Sequence, residues 1–283
     1  MKASTKQRFP RWLRRTVRQG RYLFLDALDL QDKLLGRHDP LRPPRRMIAE
    51  VGGSYDELGH HFLGLLQGIG ELKPTEHILE IGCGCGRITL PLARYLQSGG
   101  AYEGLDIVAP AVRWCQEHIT PQYPAFRFVH SDIYNTSYNR AGRIKARDYV
   151  FPYPQNTFDF VFLHSVFTHM LPDGMKTYLK ECARVMKVGA RCLITFLLIN
   201  EESLRLLQSG RSPFEFPNVC GNYRTAFRDN PEGILAYDES FVRQCYSECG
   251  LTIVEPIHYG AWAGRANPLH FQDTVLARSG VNR

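Results

Sequence analysis

The sequence predicts a doubly wound α/β domain, a mostly parallel sheet covered by helices on both faces. Three observations carry this. From His77 onward, short apolar runs alternate with stretches of helical length and periodicity. The apolar runs, such as FDFVFLH at 158–164, lack the one-in-two alternation of a half-exposed strand, so both of their faces are buried. A glycine-rich turn, GCGCG at 82–86, joins the first apolar run to the helical stretch after it.

The elements follow in order. HILEIG (77–82) is the first strand, and RITLPLARYLQ (87–97) is a helix that tolerates Pro91 because it falls early. AYEGLDI (101–107) is the second strand, followed by the helix APAVRWCQEHI (109–119) with its proline near the start. FRFVHSD (126–132) is the third strand and FDFVFLH the fourth. DGMKTYLKECARVMKVG (173–189) reads as a helix closed by glycine, and ARCLITFLLI (190–199) as the fifth strand. The helix YDESFVRQCYSECG (237–250) precedes a sixth strand, LTIVEPI (251–257), and a seventh, HFQDTVLA (270–277). Two insertions, 134–155 and 210–236, are expected to be substrate-side loops. Both follow the carboxyl ends of strands, where open α/β sheets bind ligands.

Upstream, residues 1–46 form a leader and 47–283 the main domain. Trp12, Leu13, Val17, Leu23, Phe24, Leu28, Leu34 and Leu35 give the leader an apolar helical stripe, with Gly20 a candidate break and three prolines in DPLRPPRRM a linker. Ser54 and Glu57 stand in capping-box spacing at the head of another helix, SYDELGHHFLGLLQGIG.

The chain has 283 residues, long for one simple domain and short for two, so one core with appendages is expected. Hydrophobic content of 44% and charged content of 22% are those of a globular protein. The longest apolar run, LITFLLI at 193–199, is strand-sized, and no secretory signal is evident. Eight cysteines scattered through helices and strands read as free thiols in a reducing compartment, which points to the cytoplasm. The net charge of +7 is uneven: residues 1–46 hold 13 Lys/Arg against 4 Asp/Glu, leaving the rest at −2.

The glycine turn admits three readings. As a metal loop, Cys83 and Cys85 supply half a zinc site, but no second Cys/His pair stands nearby, and no metal is predicted. As a dinucleotide fingerprint it fails on spacing: the glycines at 82, 84 and 86 give G-x-G-x-G, with Arg87 after them. The third reading turns on Glu80. A carboxylate at the end of the first strand repels a pyrophosphate and attracts a cation, by about 4 kcal/mol at 4 Å and an effective dielectric constant of 20. A nucleoside joined to an amino acid through a sulfonium meets that demand, with Asp106 at the tip of the second strand accepting from ribose hydroxyls.

ExGCGxG at 80–86, GLDI at 104–107, HSDI at 130–133, FDFVF at 158–162 and RVMKVGARCLITF at 184–196 together resemble class I S-adenosylmethionine-dependent methyltransferases. The resemblance covers residues 77–200. It implies a Rossmann-like seven-stranded sheet of order 3-2-1-4-5-7-6 with strand seven antiparallel. It also implies S-adenosyl-L-methionine on Glu80, Gly82, Gly84 and Gly86, ribose on Asp106, and adenine between Ile107 and Ile133 with Asp132 at its exocyclic amine. Cys83 is then a small residue that fits between backbone and cofactor. Gly189-Ala190 departs from the Pro-Gly-Gly of relatives and affects a turn.

Methyl transfer from a sulfonium is an in-line displacement, so the enzyme aligns the acceptor and, for a hydroxyl, removes its proton. Histidine is the base suited to neutral pH. His164 and Ser165 end the fourth strand and His169 lies in the next turn. His169 ranks first because it reaches further into the acceptor pocket, and His164 is either a base or a cofactor contact. His258 is a second-tier candidate, His60 and His61 read as surface or core, and Asp159 starts its strand at the wrong edge. FTHML and the Tyr/Arg-rich insertion with Tyr138, Arg140, Arg143 and Tyr149 resemble bacterial methyltransferases of cell-envelope glycan and glycolipid assembly, which implies O-methylation of a sugar or related polar molecule. Transfer to nitrogen or carbon of another metabolite or RNA, and a non-catalytic cofactor-binding scaffold, stay open. HSVF at 164–167 stands where amino-nitrogen enzymes acting on bases carry N/D-P-P-Y/F.

The basic leader has three readings: a helix packed on its own domain, peripheral contact with the inner face of an anionic membrane, and nucleic-acid binding. Nucleic acid ranks last, because the body is net negative and lacks a basic stripe with interleaved aromatics.

Overall fold

A computed structural model describes residues 11–51 and 53–280; the first ten residues of the leader, and the side chains of 11–15 and 18, Trp12 and Leu13 among them, lie outside the described residues. The leader forms one helix, α1 (Arg11–Leu34), which runs through Gly20 without a break, followed after the proline turn by α2 (Arg45–Val51). Arg45 joins the two: its guanidinium pairs with Asp29 at 2.7 Å and Asp32 at 2.5 Å, and its N–H donates to Asp29. Next comes α3 (Tyr55–Gly68), whose N-cap Ser54 makes no side-chain cap, so the capping box is not formed.

The main domain runs β1 (His77–Ile81), α4 (Thr89–Tyr95), β2 (Ala101–Asp106), α5 (Ala109–His118), β3 (Phe126–His130), β4 (Phe158–Leu163), α6 (Pro172–Val185), β5 (Met186–Phe196), β6 (Leu198–Ile199) and α7 (Glu201–Gln208). It continues through β7 (Asn218–Val219), β8 (Tyr223–Thr225), β9 (Leu235–Asp238), α8 (Glu239–Glu248), β10 (Leu251–Ile253) and β11 (Asp273–Ser279). Seven strands form one sheet in the order β10-β11-β5-β4-β1-β2-β3, with β11 antiparallel to both neighbours and the other pairings parallel. Because β10 and β11 are its sixth and seventh strands, this is the expected order.

Successive residues of the central strands feed two cores. Ile78, Phe160 and Phe162 pack with Tyr55, Phe62 and Leu66 of α3, Leu92 of α4 and Val112 of α5. Leu79, Ile81, Val161 and Leu163 pack with Met175 and Leu179 of α6 and Val242 and Tyr246 of α8. Both faces are therefore dry, which is why these strands read as continuous apolar runs. No helix among the described residues is long and apolar enough to cross a membrane.

Two expectations change. The helix expected over 173–189 stops at Val185, and Met186–Gly189 already belongs to β5: buried Met186 pairs with Phe158, and the register then shifts to Phe160 opposite Arg191. Gly189, at φ 74°, sits in that irregularity rather than closing a helix. The insertion 210–236 is not all loop. It supplies β7, β8 and the start of β9 to a second sheet of order β6-β9-β8-β7, built from strands too short to show a period.

Asp273 ties the fifth strand's continuation to the last loop. Its fully buried carboxylate accepts N–H groups from Leu198 (2.6 Å), Gly260 (2.7 Å) and the Trp262 indole (2.7 Å), with Arg265 at 3.5 Å; burial pushes its pKa up to about 6. Asp273→Ala orphans all three donors beside a buried guanidinium, and a loss of about 3–5 kcal/mol in urea unfolding is expected.

Candidate active site

The carboxyl ends of β1, β2, β3 and β4 converge on a cavity of ≈300 Å³, within the range of small-molecule sites. The glycine turn forms its floor. As the chain leaves β1, the N–H groups of Gly82 and Cys83 both donate to the Leu105 carbonyl at the end of β2, at 2.7 and 3.1 Å. Gly82 has φ 84°, and a Cβ there would lie 2.5 Å from Val166 Cγ2, so any other residue strains the backbone and displaces Val166. Asp106 then clips the turn: Oδ2 accepts from Gly84 N–H and Oδ1 from Val108 N–H, both at 2.7 Å. From the other side the Tyr55 hydroxyl donates to the Cys85 carbonyl at 2.8 Å.

Glu80 lies against this turn, 2% exposed, and accepts from the Tyr102 hydroxyl and from Thr89 Oγ1 at 3.4 Å. Burial pushes its pKa up to about 8, although the two hydroxyl donors oppose the shift. The negative charge read from the sequence is therefore conditional. Burial opposes that charge, and a positive ligand beside the carboxyl would favour it. Cys83 and Cys85 are buried thiols whose pKa values burial raises, Cys85 to about 12, so neither is a thiolate. Among the described residues no group of three or more His, Cys, Asp or Glu is placed to hold a metal.

Of the residues singled out in the sequence, Glu80, Gly82, Cys83, Gly84, Asp106, Ile107, Ile133, His164 and His169 line the cavity together. Gly86 and Asp132 do not. Gly86, at φ 81°, packs against Ile119 and shapes the turn from behind. The Asp132 carboxylate turns away to pair with Arg143 Nε at 2.5 Å, leaving Ser131 and Ile133 as the wall. His258 is held in a bridge to Thr274 away from the cavity, and His60 and His61 are exposed. Asp159, at the far end of β4, pairs with Lys187 at 2.8 Å.

The two histidines at the end of β4 differ. His164 Nε2 lies 3.3 Å from His270 Nε2, and burial together with His270 holds its pKa down to about 3. Ser165 beside it has φ 61°, a left-handed conformation uncommon for serine, pinned by its N–H to Thr195 Oγ1 and by Gln272 Nε2 to its own Oγ. His169 sits in the 3₁₀ turn Phe167–His169. Its Nδ1 is 3.1 Å from the Glu232 carbonyl and so carries the proton, which leaves the Nε2 lone pair facing the Tyr138 hydroxyl at 3.4 Å. Burial lowers its pKa as well.

Sequence reasoning did not find Glu232 or the helix α2, whose Met47, Glu50 and Val51 also line the cavity. Glu232 acts through its main chain, which carries no residue-type signal. It is placed because the two insertions bind each other: Thr136 N–H donates to the Glu232 carboxylate at 2.9 Å, and the Thr136 hydroxyl lies 2.6 Å from Asn230 Oδ1.

The donor set fits S-adenosylmethionine: a buried carboxyl ready to ionise beside a cation, a glycine backbone open to close approach, and an aspartate at the tip of β2. Asp106→Ala is expected to weaken binding of the donor roughly a hundredfold in calorimetry, as loss of two hydrogen bonds to a charged group at about 1.5 kcal/mol each would.

Residues 78–189 match the family described as methyltransferase domain. The chain is 35% identical over 126 residues to a demethylmenaquinone methyltransferase of Lactiplantibacillus plantarum, covering 44% of this chain and 47% of that protein. It spans less than half the length of the curated relatives it matches. Among solved structures, the PH0226 protein of Pyrococcus horikoshii superposes with a TM-score of 0.55 at 16% identity, covering 82% of this chain and 93% of that one. The YcgJ protein of Bacillus subtilis gives 0.50 at 17% identity, covering 79% and 100%. At these identities the structural likeness carries the fold alone. Residues 78–189 match the methyltransferase domain family, and the chain carries the Rossmann-like fold of class I S-adenosylmethionine-dependent methyltransferases, whose cofactor the donor set of this site fits.

Proposed function

We propose that this chain transfers the methyl group of S-adenosylmethionine to a hydroxyl of a polar acceptor, a sugar or glycolipid, with His169 as the general base. When bound, the cofactor supplies an electrophilic methyl carbon on a sulfonium. Glu80, the glycine turn and Asp106 bind and orient it. The observation that carries the reading is the tautomer of His169: the Glu232 carbonyl holds the proton on Nδ1 and leaves Nε2 free to accept one at the cavity wall. Tyr138, whose hydroxyl points at that nitrogen, occupies the place an acceptor hydroxyl would take or relays its proton. His164 is the weaker base, since a group with a pKa of about 3 gains little by accepting a proton near neutrality.

The likeness to a demethylmenaquinone methyltransferase favours a second reading, in which the acceptor is a ring carbon activated by loss of a phenolic proton. The same lone pair would remove that proton, and the tyrosines of the cavity wall, Tyr134, Tyr138 and Tyr149, suit a flat ring. A screen of cell extracts with methyl-labelled cofactor, followed by mass identification of the product, separates oxygen from carbon acceptors.

His169→Ala is expected to lower kcat roughly a hundredfold or more while leaving cofactor affinity unchanged, the scale of a lost general base. Because burial lowers the pKa of His169 below 6.5, the residue stays unprotonated as pH falls through that value. The acid limb of kcat in the native enzyme should therefore lie below pH 6.5. A limb at or above that value, or unchanged turnover in the variant, removes His169 from the chemistry.

A further inference from the structure

Helix α1 is amphipathic with its polar side turned toward the protein. Tyr22, Leu25, Asp29 and Asp32 recur at helical spacing on one face and are half-buried. That face is tied to α2: the Tyr22 hydroxyl donates to Glu50 at 3.1 Å, Arg46 lies 4.6 Å over the Tyr22 ring, and Arg45 pairs with both aspartates. Apart from Leu25 and the half-buried Leu28, the large apolar residues described point the other way. Val17, Leu23, Phe24, Leu30 and Leu34 are exposed, Leu23 at 71% and Leu34 at 79%. Over a helix of 24 residues this makes an apolar stripe that no part of the described chain covers.

We propose that α1 lies flat on an anionic lipid bilayer, with this stripe in the interface. Charge selects this occupant. Arginines stand at 11, 14, 15, 18 and 21 in the first half of the helix, the leader as a whole holds 13 basic residues against 4 acidic, and the rest of the chain is net −2. A lipid surface with negative headgroups attracts that segment while the stripe buries in the boundary region. A second copy of the helix is poorly matched: alongside in parallel it sets arginine against arginine, and in antiparallel it offers Asp26, Asp29 and Asp32, two of which Arg45 already neutralises. Docking also reaches the site. The helix that α1 holds, α2, lines the cavity through Met47, Glu50 and Val51, so the surface-bound element is one contact from the cofactor pocket. An acceptor anchored in lipid would meet the enzyme where it sits.

The test is vesicle sedimentation of the full chain, which reads binding alone and so succeeds or fails independently of the methyl acceptor. Phosphatidylcholine vesicles are compared with vesicles containing about 30% phosphatidylglycerol. The expected result is roughly tenfold more native protein on the anionic vesicles, falling as salt is raised. Leu23→Ser/Phe24→Ser/Leu30→Ser, three exposed positions, should lose binding to both vesicle types while retaining the native circular dichroism spectrum. Arg18→Gln/Arg21→Gln should lose the preference for anionic lipid. Equal sedimentation of the native chain and the triple variant overturns the proposal. So does a native dimer, seen by light scattering, that the triple variant converts to monomer without any vesicle binding by either.

Discussion

The site depends on one buried carboxyl. Glu80, the penultimate residue of β1, is 2% exposed at the wall of the cavity, and burial raises its pKa from 4.5 to about 8. Tyr102 and Thr89 donate to it and keep it aimed, yet they do not supply a positive charge. A cation beside it would favour its ionised form, which a phosphate would not. The glycine turn beside it has the left-handed backbone that allows close approach, and Asp106 holds that backbone in place through Gly84. Under the proposed function, a positively charged nucleoside in this pocket would be held by the ionisation it favours at Glu80 rather than by a charge already standing there.

The His169 side of the cavity is built on a different principle. Its groups come from segments outside the regular strand–helix alternation and are brought together by their contacts with one another. Thr136 of the first insertion binds Asn230 and Glu232 of the second, and Glu232 in turn fixes the tautomer of His169. Asn135 reinforces the same point by donating to the His169 carbonyl at 3.1 Å. The Glu80 side of the cavity therefore rests on the sheet, whereas the His169 side rests on two insertions that bind each other.

The sheet was legible in the sequence because strands buried on both faces leave continuous apolar runs, and FDFVF, LITF and HILEI stand out without any alignment. The floor of the cavity was legible because residue type carries it, in Glu80, Gly82, Gly84 and Asp106. Three things were not. The end of α6 was misread because Gly189 resembles a helix stop, although Met186 is already paired in β5. The short strands of the second sheet, of two to four residues, are too brief to display a period. Asp132 carries the right chemistry at the right spacing, but Arg143, eleven residues on, takes its carboxylate, a contact that no local pattern reveals.

The most direct measurement is the proton balance of cofactor binding, read by calorimetry at pH 7 in buffers of different ionisation enthalpy. With a carboxyl of pKa about 8 that ionises on binding, the native chain should release about 0.9 proton more per cofactor bound than Glu80→Gln does. Equal proton release by the two proteins, or tight binding by the variant with no loss of affinity, would contradict the account.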